Sequence, residues 1–541
     1  MMDVQLTVEK LLNRAVTLYP SKEIVTVKQD DGTHRYTYAD AYERICQLAH
    51  ALDDLGVRGD ARVATVAPNN FRHYELYYGP ACSGRSLHMV NHRLPDEHLR
   101  YLLNDAQDRV VFIDPKLLEV IEPLADEFET VEQYVVLGGE IPETSLEPVI
   151  GYEDLLEGQP TTYDWPDLDE DRECGICYTS GTTGKPKGVQ YTHRGVYLHS
   201  MMMGHSDTHR ISEHDTVLPV VPMFHANGWG LPYSATFAGS TIVLPNQQTQ
   251  PETIARVIEE EQVTYAAAVP TLWIGVIEGL DEEFDHDISC IDRLVVGGSA
   301  PSKSLLQRYE EQFDVPILQG WGMTEMSPVG TVSTLTSETA ALSKEEQYTQ
   351  RAKAGIPVPG VSACVRDQNG EEIERDGEMF GELEVRGPWV TDGYHNRPDA
   401  TEEALTDDGW LKTGDIATWD EYGYIDIVDR KDDAIKSGGE WISSLELENE
   451  LMSHESVREA AVIGIPHEKW QERPLAIVNT SGEVDAETLR DHLAERFPRW
   501  WLPDSIVFVD EVPKTSTGKF DKSTLREQYE DQSVLEDTPS R

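Results

Sequence analysis

Tyr178-Thr179-Ser180-Gly181-Thr182-Thr183-Gly184-Lys185-Pro186-Lys187-Gly188 follows the apolar run 174–178. A buried strand that opens into small hydroxyl residues and glycines lets backbone N–H groups and side-chain hydroxyls approach an anion, and two lysines add charge. The stretch reads as a phosphate-binding loop. Taken alone, it also fits a mobile Ser/Thr/Gly surface linker; two lysines and a proline packed into so short a loop argue against that. It is not a Walker A loop, which needs four residues between its first glycine and Gly-Lys-Ser/Thr. Here two residues separate Gly181 from Gly184, and Pro186 follows Lys185, so P-loop hydrolase chemistry is disfavoured.

Upstream of the loop, from residue 6 to 170, helical patterns alternate with short apolar runs such as 61–66 and 110–113. Downstream the cadence continues to about Phe313, with 293–296 and 315–318 expected as buried strands ending at loops, where open α/β sheets place ligands. From about Gly355 the texture turns to short Gly- and Pro-rich strands, including 381–387 and 424–428. Beyond Asp429 an α+β pattern returns: helices over 444–452 and 486–497, strands over 460–465 and 505–509. The expected fold class is α/β, with a large N-terminal domain (1–428) of two α/β subdomains plus a β subdomain. Five consecutive charged residues at 429–433 read as an exposed hinge, and 434–541 as a small, mobile α+β lid domain whose last fifteen or so residues are loosely held.

At 541 residues the chain has room for at least two cores. Its net charge of -53 arises from 98 Asp and Glu against 45 Lys and Arg, dispersed along a chain that is 39% hydrophobic. Such dispersion reads as the solvated surface of a halophilic protein, whose self-repulsion concentrated salt screens. Nucleic acid and anionic membranes are poor partners for it. The first twelve residues contain no signal-length apolar core, and no run of about 18 apolar residues follows, so the expectation is a cytoplasmic protein without a transmembrane segment. Six cysteines make no disulfide scaffold, and Cys174 and Cys177, without a second C-x-x-C pair, read as part of a buried strand.

The 178–188 loop closely resembles the signature loop of the adenylate-forming superfamily, which includes acyl-CoA synthetases, luciferases and peptide-synthetase adenylation domains. The resemblance recurs in order along the chain. Val221-Pro222-Met223-Phe224-His225 is similar to the acyl-pocket motif, and Gln319-Gly320-Trp321-Gly322-Met323-Thr324-Glu325 to the adenine and magnesium motif. Gly381-Glu382-Leu383, Lys412-Thr413-Gly414-Asp415, Asp429-Arg430 and Pro513-Lys514-Thr515-Ser516-Thr517-Gly518-Lys519 follow. Within the superfamily, 436–444 and 470–474 look most like medium-chain to long-chain fatty acyl-CoA synthetases of bacteria and archaea, and the charge balance points to a haloarchaeal one.

That resemblance implies an AMP-forming ligation: a carboxylic acid attacks the α-phosphate of ATP, pyrophosphate leaves, the C-terminal domain rotates, and the acyl group passes to CoA. Two anions must meet in the first step, so the site has to neutralise charge and align the reactants. By resemblance, Thr179, Ser180, Gly181, Thr182, Thr183, Gly184 and Lys187 hold the phosphates, and Thr179 with Glu325 holds Mg²⁺. Gly297, Gly298, Gln319, Gly320, Trp321 and Thr324 would surround the adenine, with Asp415 and Arg430 on the ribose. Lys519 is the implied adenylation lysine. Lys436 is a second lysine that faces the site in the other domain orientation, Asp432 is the hinge residue beside the nucleotide, and Trp441 packs near the adenylate. Ser437, Gly438 and Gly439 would give the CoA thiol arm its path, His225 would lie beside the reacting carboxyl, and Trp229 would gate the acyl tunnel. A homodimer is also implied.

Stripped of context, the same residues have plainer readings. Thr324-Glu325 is a helix cap, Gly414-Asp415 a turn, Arg430 and Lys519 solvated charges, and His225 with Trp229 a helical i,i+4 core pair. Within the superfamily an aryl-, short-chain or methylthio-alkanoate CoA ligase is the alternative. Outside catalysis, a nucleotide or acyl-adenylate sensor is the other, against which stands the joint presence of Thr179, Glu325, Asp415, Arg430 and Lys519.

Overall fold

Strand Glu173–Tyr178 runs parallel to Ser86–Met89 on one side and antiparallel to Gly188–Thr192 on the other. The phosphate-loop sequence is therefore a hairpin connection, with Tyr178 paired to Gly188 across its mouth. The computed structural model describes residues 2, 4–28, 32–179, 185–367, 369–437, 440–454, 456–467, 469–482, 484–514 and 520–529, without the side chains of 227, 440 and 441.

Among the described residues this hairpin ends a seven-stranded sheet. Its other strands run Val149–Gly151, Gln133–Val136, Val110–Ile113, Arg62–Val66 and Ser86–Met89, all parallel. Their apolar residues are buried on both faces, as expected of parallel strands covered by helices. A second sheet, of nine strands, has Arg293–Val296, Tyr265–Ala268, Thr216–Pro219 and Thr241–Leu244 near its centre. The expected strand at 315–318 belongs to it but is longer, Ile317–Gly322, because it continues into an antiparallel pairing with Val329–Val332. Cys174 and Cys177 are buried and unbridged in the hairpin strand, as the sequence leads one to expect.

The chain separates into two compact units: one holds nearly everything up to Ala363 together with Val385–Leu411, the other Cys364–Glu384 and the described residues from Lys412 onward. Among the described residues Ser362–Arg366, Gly381–Arg386, Leu411–Trp419 and Ile425–Arg430 form a four-stranded sheet, and in the second unit Val457–His467 pairs with Gln471–Thr480 in a five-stranded one. The predicted helices and strands of this region are present as Ser444–Ser453, Val457–His467, Ala486–Ala494 and Ser505–Phe508. The five charges at 429–433 are not uniformly exposed. Asp429 is buried, its Oδ2 accepting from the backbone N and the Oγ of Ser444 at 2.6 Å each, because a carboxylate that caps a helix start satisfies otherwise orphan donors.

Helix Lys522–Tyr529 anchors to the same place. Lys522, in a side-chain environment only 11% exposed, pairs with the 4% exposed Glu448 at 2.7 Å and donates to Ser444 Oγ at 2.6 Å. Arg526 pairs with Asp433 and donates to the Asp432 carbonyl at 2.9 Å. Burial pushes the Glu448 carboxyl up to about 7, against the opposing pull of Lys522. Between its ordinary 4.5 and about 7, folded Glu448 therefore retains a proton that the unfolded chain releases, so its contribution to stability falls as pH rises through that window. Glu448→Gln is expected to make the pH dependence of unfolding shallower there, measured as denaturant midpoints at the two ends of the window. Parallel slopes for parent and variant would contradict this.

Candidate active site

The mouth of the hairpin is closed by the loop's own ends. Thr179 N donates to the Lys187 carbonyl at 3.0 Å, and Lys187 N donates to Thr179 Oγ1 at 3.1 Å. Tyr178 is fixed by its hydroxyl on Asp105 Oδ2 at 2.7 Å. The phosphate-loop residues Ser180, Gly181, Thr182, Thr183 and Gly184 lie outside the described residues. The two lysines leave the loop over different aromatic rings: Lys185 Nζ is 5.0 Å from the centroid of Tyr101, and Lys187 Nζ is 4.8 Å from that of Tyr394.

Tyr394 joins this loop to Glu325. Its hydroxyl donates to Glu325 Oε1 at 2.7 Å, and Glu325 is buried in the short 3₁₀ turn Thr324–Met326. The Thr324 carbonyl accepts from the Tyr191 hydroxyl at 2.8 Å. The Thr-Glu pair thus sits at a turn, and Glu325 faces a partner 69 residues away in sequence. Nothing in the sequence marks Tyr394 beyond an aromatic residue in a Gly-Tyr pair between Pro388 and Pro398.

The acyl and adenine candidates meet at one wall. Residues 226–230 form a 3₁₀ turn instead of the expected α-helical pair, since Ala226, Gly228, Trp229 and Gly230 all have positive φ and Pro232 follows. Trp229 is thus a bulky residue in the strained left-handed region and does not ride on a helix face. A β-carbon added at Gly297 would lie 2.9 Å from Trp229 Cη2 and 3.1 Å from the Gly320 carbonyl, so only glycine permits this approach. Gly298 adopts φ +82°. Trp321 lies against Gly330, where a β-carbon would come within 2.7 Å of the indole. Gln319 is buried with the end of its amide facing the carbonyls of Ala352 and Lys353, a setting that suits the amide nitrogen there, so its side chain shapes the wall from behind. His225 precedes the turn, its backbone N bonded to the Pro222 carbonyl at 3.0 Å.

In the second unit, Asp415 is buried on strand Leu411–Trp419, directly after Gly414 at φ +70°, and pairs with Arg430 Nε at 2.9 Å. Arg430 Nη1 also donates to the Thr413 carbonyl at 3.2 Å. The pair is thus strand-borne, a buried Asp415 bonded to an Arg430 side chain that stays exposed at the surface. Lys436 is exposed on a strand paired with Glu440–Ile442, and its N donates to Glu472 Oε2 at 2.9 Å. Ser437 is buried and accepts from Arg473 Nη1 at 3.1 Å. Asp432 is exposed. Gly438, Gly439 and Lys519 lie outside the described residues, as does the side chain of Trp441. The base of the segment that carries Lys519 is closed by a bridge between Lys514 and Phe520.

Among the described residues no cluster of three or more His, Cys, Asp or Glu is arranged to hold a metal ion. Glu325 is a buried carboxylate and Thr179 carries a hydroxyl, both hard oxygen donors. They suit Mg²⁺, which keeps its waters and takes the rest of its shell from substrate phosphates.

Residues 12–395 match the model of the AMP-binding enzyme family, and residues 446–519 that of the AMP-binding enzyme C-terminal domain. The chain belongs to the AMP-binding enzyme family. It is 46% identical over 533 residues to a long-chain-fatty-acid–CoA ligase of Thermus thermophilus, covering 98% of this chain and 96% of the relative. A 3-methylmercaptopropionyl-CoA ligase of Ruegeria pomeroyi is 40% identical over 98% of both chains, and a medium-chain-fatty-acid–CoA ligase of Ectopseudomonas oleovorans 39% identical over 98% and 97%. Among solved structures, the o-succinylbenzoate CoA synthetase of Bacillus subtilis in complex with its acyl-adenylate aligns at TM-score 0.80 and 26% identity, over 95% of this chain and 97% of that one. An anthranilate CoA ligase bound to anthranoyl-AMP shares the fold at TM-score 0.87 and 24% identity, over 99% of each chain.

Gly297→Ala is expected to displace either Trp229 or the Gly320 backbone. Its KM for ATP should rise about tenfold, the scale of one overpacked contact. An unchanged KM for ATP together with an unchanged acid profile would contradict this arrangement.

Proposed function

We propose that the protein is an AMP-forming fatty acid–CoA ligase that activates its acid as an acyl-adenylate before transfer to CoA. The observation that carries this reading is the close approach of the Trp229 indole and of the Gly320 carbonyl to Gly297, which leaves no room there for a β-carbon. It sets the candidate acyl gate and the candidate adenine wall edge to edge, which is where an acid must meet a nucleotide for direct attack. The named activities of the bacterial relatives support the same reaction.

In this account Lys187 and the loop amides hold the triphosphate, and Asp415 with Arg430 takes the ribose hydroxyls. His225 lies toward the acid. Lys519 offers its ammonium to the carboxylate and α-phosphate together, lowering the repulsion between them. Thr179 and Glu325 would hold Mg²⁺, which when bound offsets phosphate charge. The C-terminal unit then serves the second step through Lys436 and the Ser437-Gly438-Gly439 path for the thiol, with Asp432 as hinge between the two roles.

The relatives differ in acid, from long-chain fatty acids to a short thioether acid, and the strained Trp229 is the residue on which that choice is placed. The net charge of -53 supports function in concentrated salt. No helix among the described residues is long and apolar enough to cross a membrane, in keeping with a cytoplasmic enzyme; a homodimer is the assembly proposed.

A pyrophosphate-release screen in molar KCl with Mg²⁺ and CoA, over acids from acetate to palmitate and aryl acids, tests the reading. Release should peak with medium to long alkyl chains, and no release with any acid would overturn it. Trp229→Ala should shift the preferred chain length, and an identical acid profile would remove it as gate. Lys519→Ala should lose adenylation by about 10²-fold or more while still forming thioester from supplied acyl-AMP; equal loss of both half-reactions would reassign the residue.

A further inference from the structure

We infer that Tyr394 is a positioning residue for the nucleotide site, holding Glu325 through its hydroxyl and Lys187 through its ring. The inference rests on the reading of Glu325 and Lys187 as metal-binding and phosphate-binding groups.

The segment that carries Tyr394 grips the Glu325 turn at several points. Thr391 N donates to the Glu325 carbonyl at 2.8 Å, Ser327 Oγ donates to the Trp389 carbonyl at 3.1 Å, and Trp389 Nε1 donates to the Val329 carbonyl at 3.0 Å. The same segment grips the phosphate hairpin, where His395 N donates to the Gly188 carbonyl at 2.8 Å. Tyr394 itself is pinned by its backbone N on Thr401 Oγ1 at 2.9 Å. With backbone held at both ends, the ring has little freedom, and its two chemical faces are used at once. The hydroxyl satisfies one oxygen of a buried carboxylate, which fixes the rotation of that carboxylate and orients its other oxygen. The π-face attracts the Lys187 ammonium and keeps the long side chain from sampling solvent. One tyrosine thus contacts both a buried carboxylate and an ammonium.

Two substitutions separate the two uses. Tyr394→Phe keeps the ring and removes the hydroxyl. The Mg²⁺ concentration for half-maximal ATP binding, read by calorimetry, should rise about tenfold, while ATP affinity in EDTA stays at the parent value, since a hydrogen bond to a charged group is worth about that factor or more. Tyr394→Leu removes both, and its ATP affinity in EDTA should fall as well, by about threefold to tenfold. A Phe variant whose Mg²⁺ titration superimposes on the parent's would overturn the inference, as would Phe and Leu variants that lose equal affinity in EDTA. A parent chain that binds ATP with no Mg²⁺ dependence would instead remove the metal-site reading on which the inference stands.

Discussion

Two anions have to be brought to bonding distance inside a protein that is itself strongly negative. Candidate cations in each unit are closely held: Lys187 rests on an aromatic face in one, and Arg430 is tied to the buried Asp415 in the other. On an acidic surface a freely moving lysine finds a carboxylate partner almost anywhere, so holding ammonium and guanidinium groups against rings and buried acids preserves them for a substrate.

The hairpin geometry of the phosphate loop follows from the same requirement. A P-loop relies on a helix N-terminus at the end of its strand, whereas this loop returns as an antiparallel strand and has no helix dipole behind it. Lys185 and Lys187 bring it two ammonium groups, and the bonds between Thr179 and Lys187 set the width of the loop's mouth. Glycine is required where backbone and aromatic ring crowd together, at Gly297 against Trp229, and that crowding brings the residue proposed as acyl gate against one proposed for the nucleotide.

Much of this was legible in the sequence, because the elements are local. Apolar runs at 110–113 and 293–296 are strands, and the helix and strand patterns beyond Ser444 appear with ends shifted by a few residues. What escaped reading was long-range. Tyr394 reaches Glu325 across 69 positions, and nothing in the Gly-Tyr pair announces it. Asp429 looked like one more charge in an exposed run, yet it caps the helix at Ser444. The plain i,i+4 reading of His225 and Trp229 as a helical pair fails because that spacing carries no information about φ, and Ala226, Gly228, Trp229 and Gly230 are left-handed. Gln319 sits inside a ligand-like motif, but its amide is turned to backbone carbonyls.

The central claim is that the acid itself attacks the α-phosphate. Supplying the enzyme with a fatty acid labelled with ¹⁸O in its carboxylate, together with ATP, Mg²⁺ and CoA, and recovering the phosphorylated products by mass spectrometry tests it most directly. The account predicts one labelled oxygen in AMP and none in pyrophosphate. Label in inorganic phosphate with release of ADP would mean attack on the terminal phosphate and would contradict it.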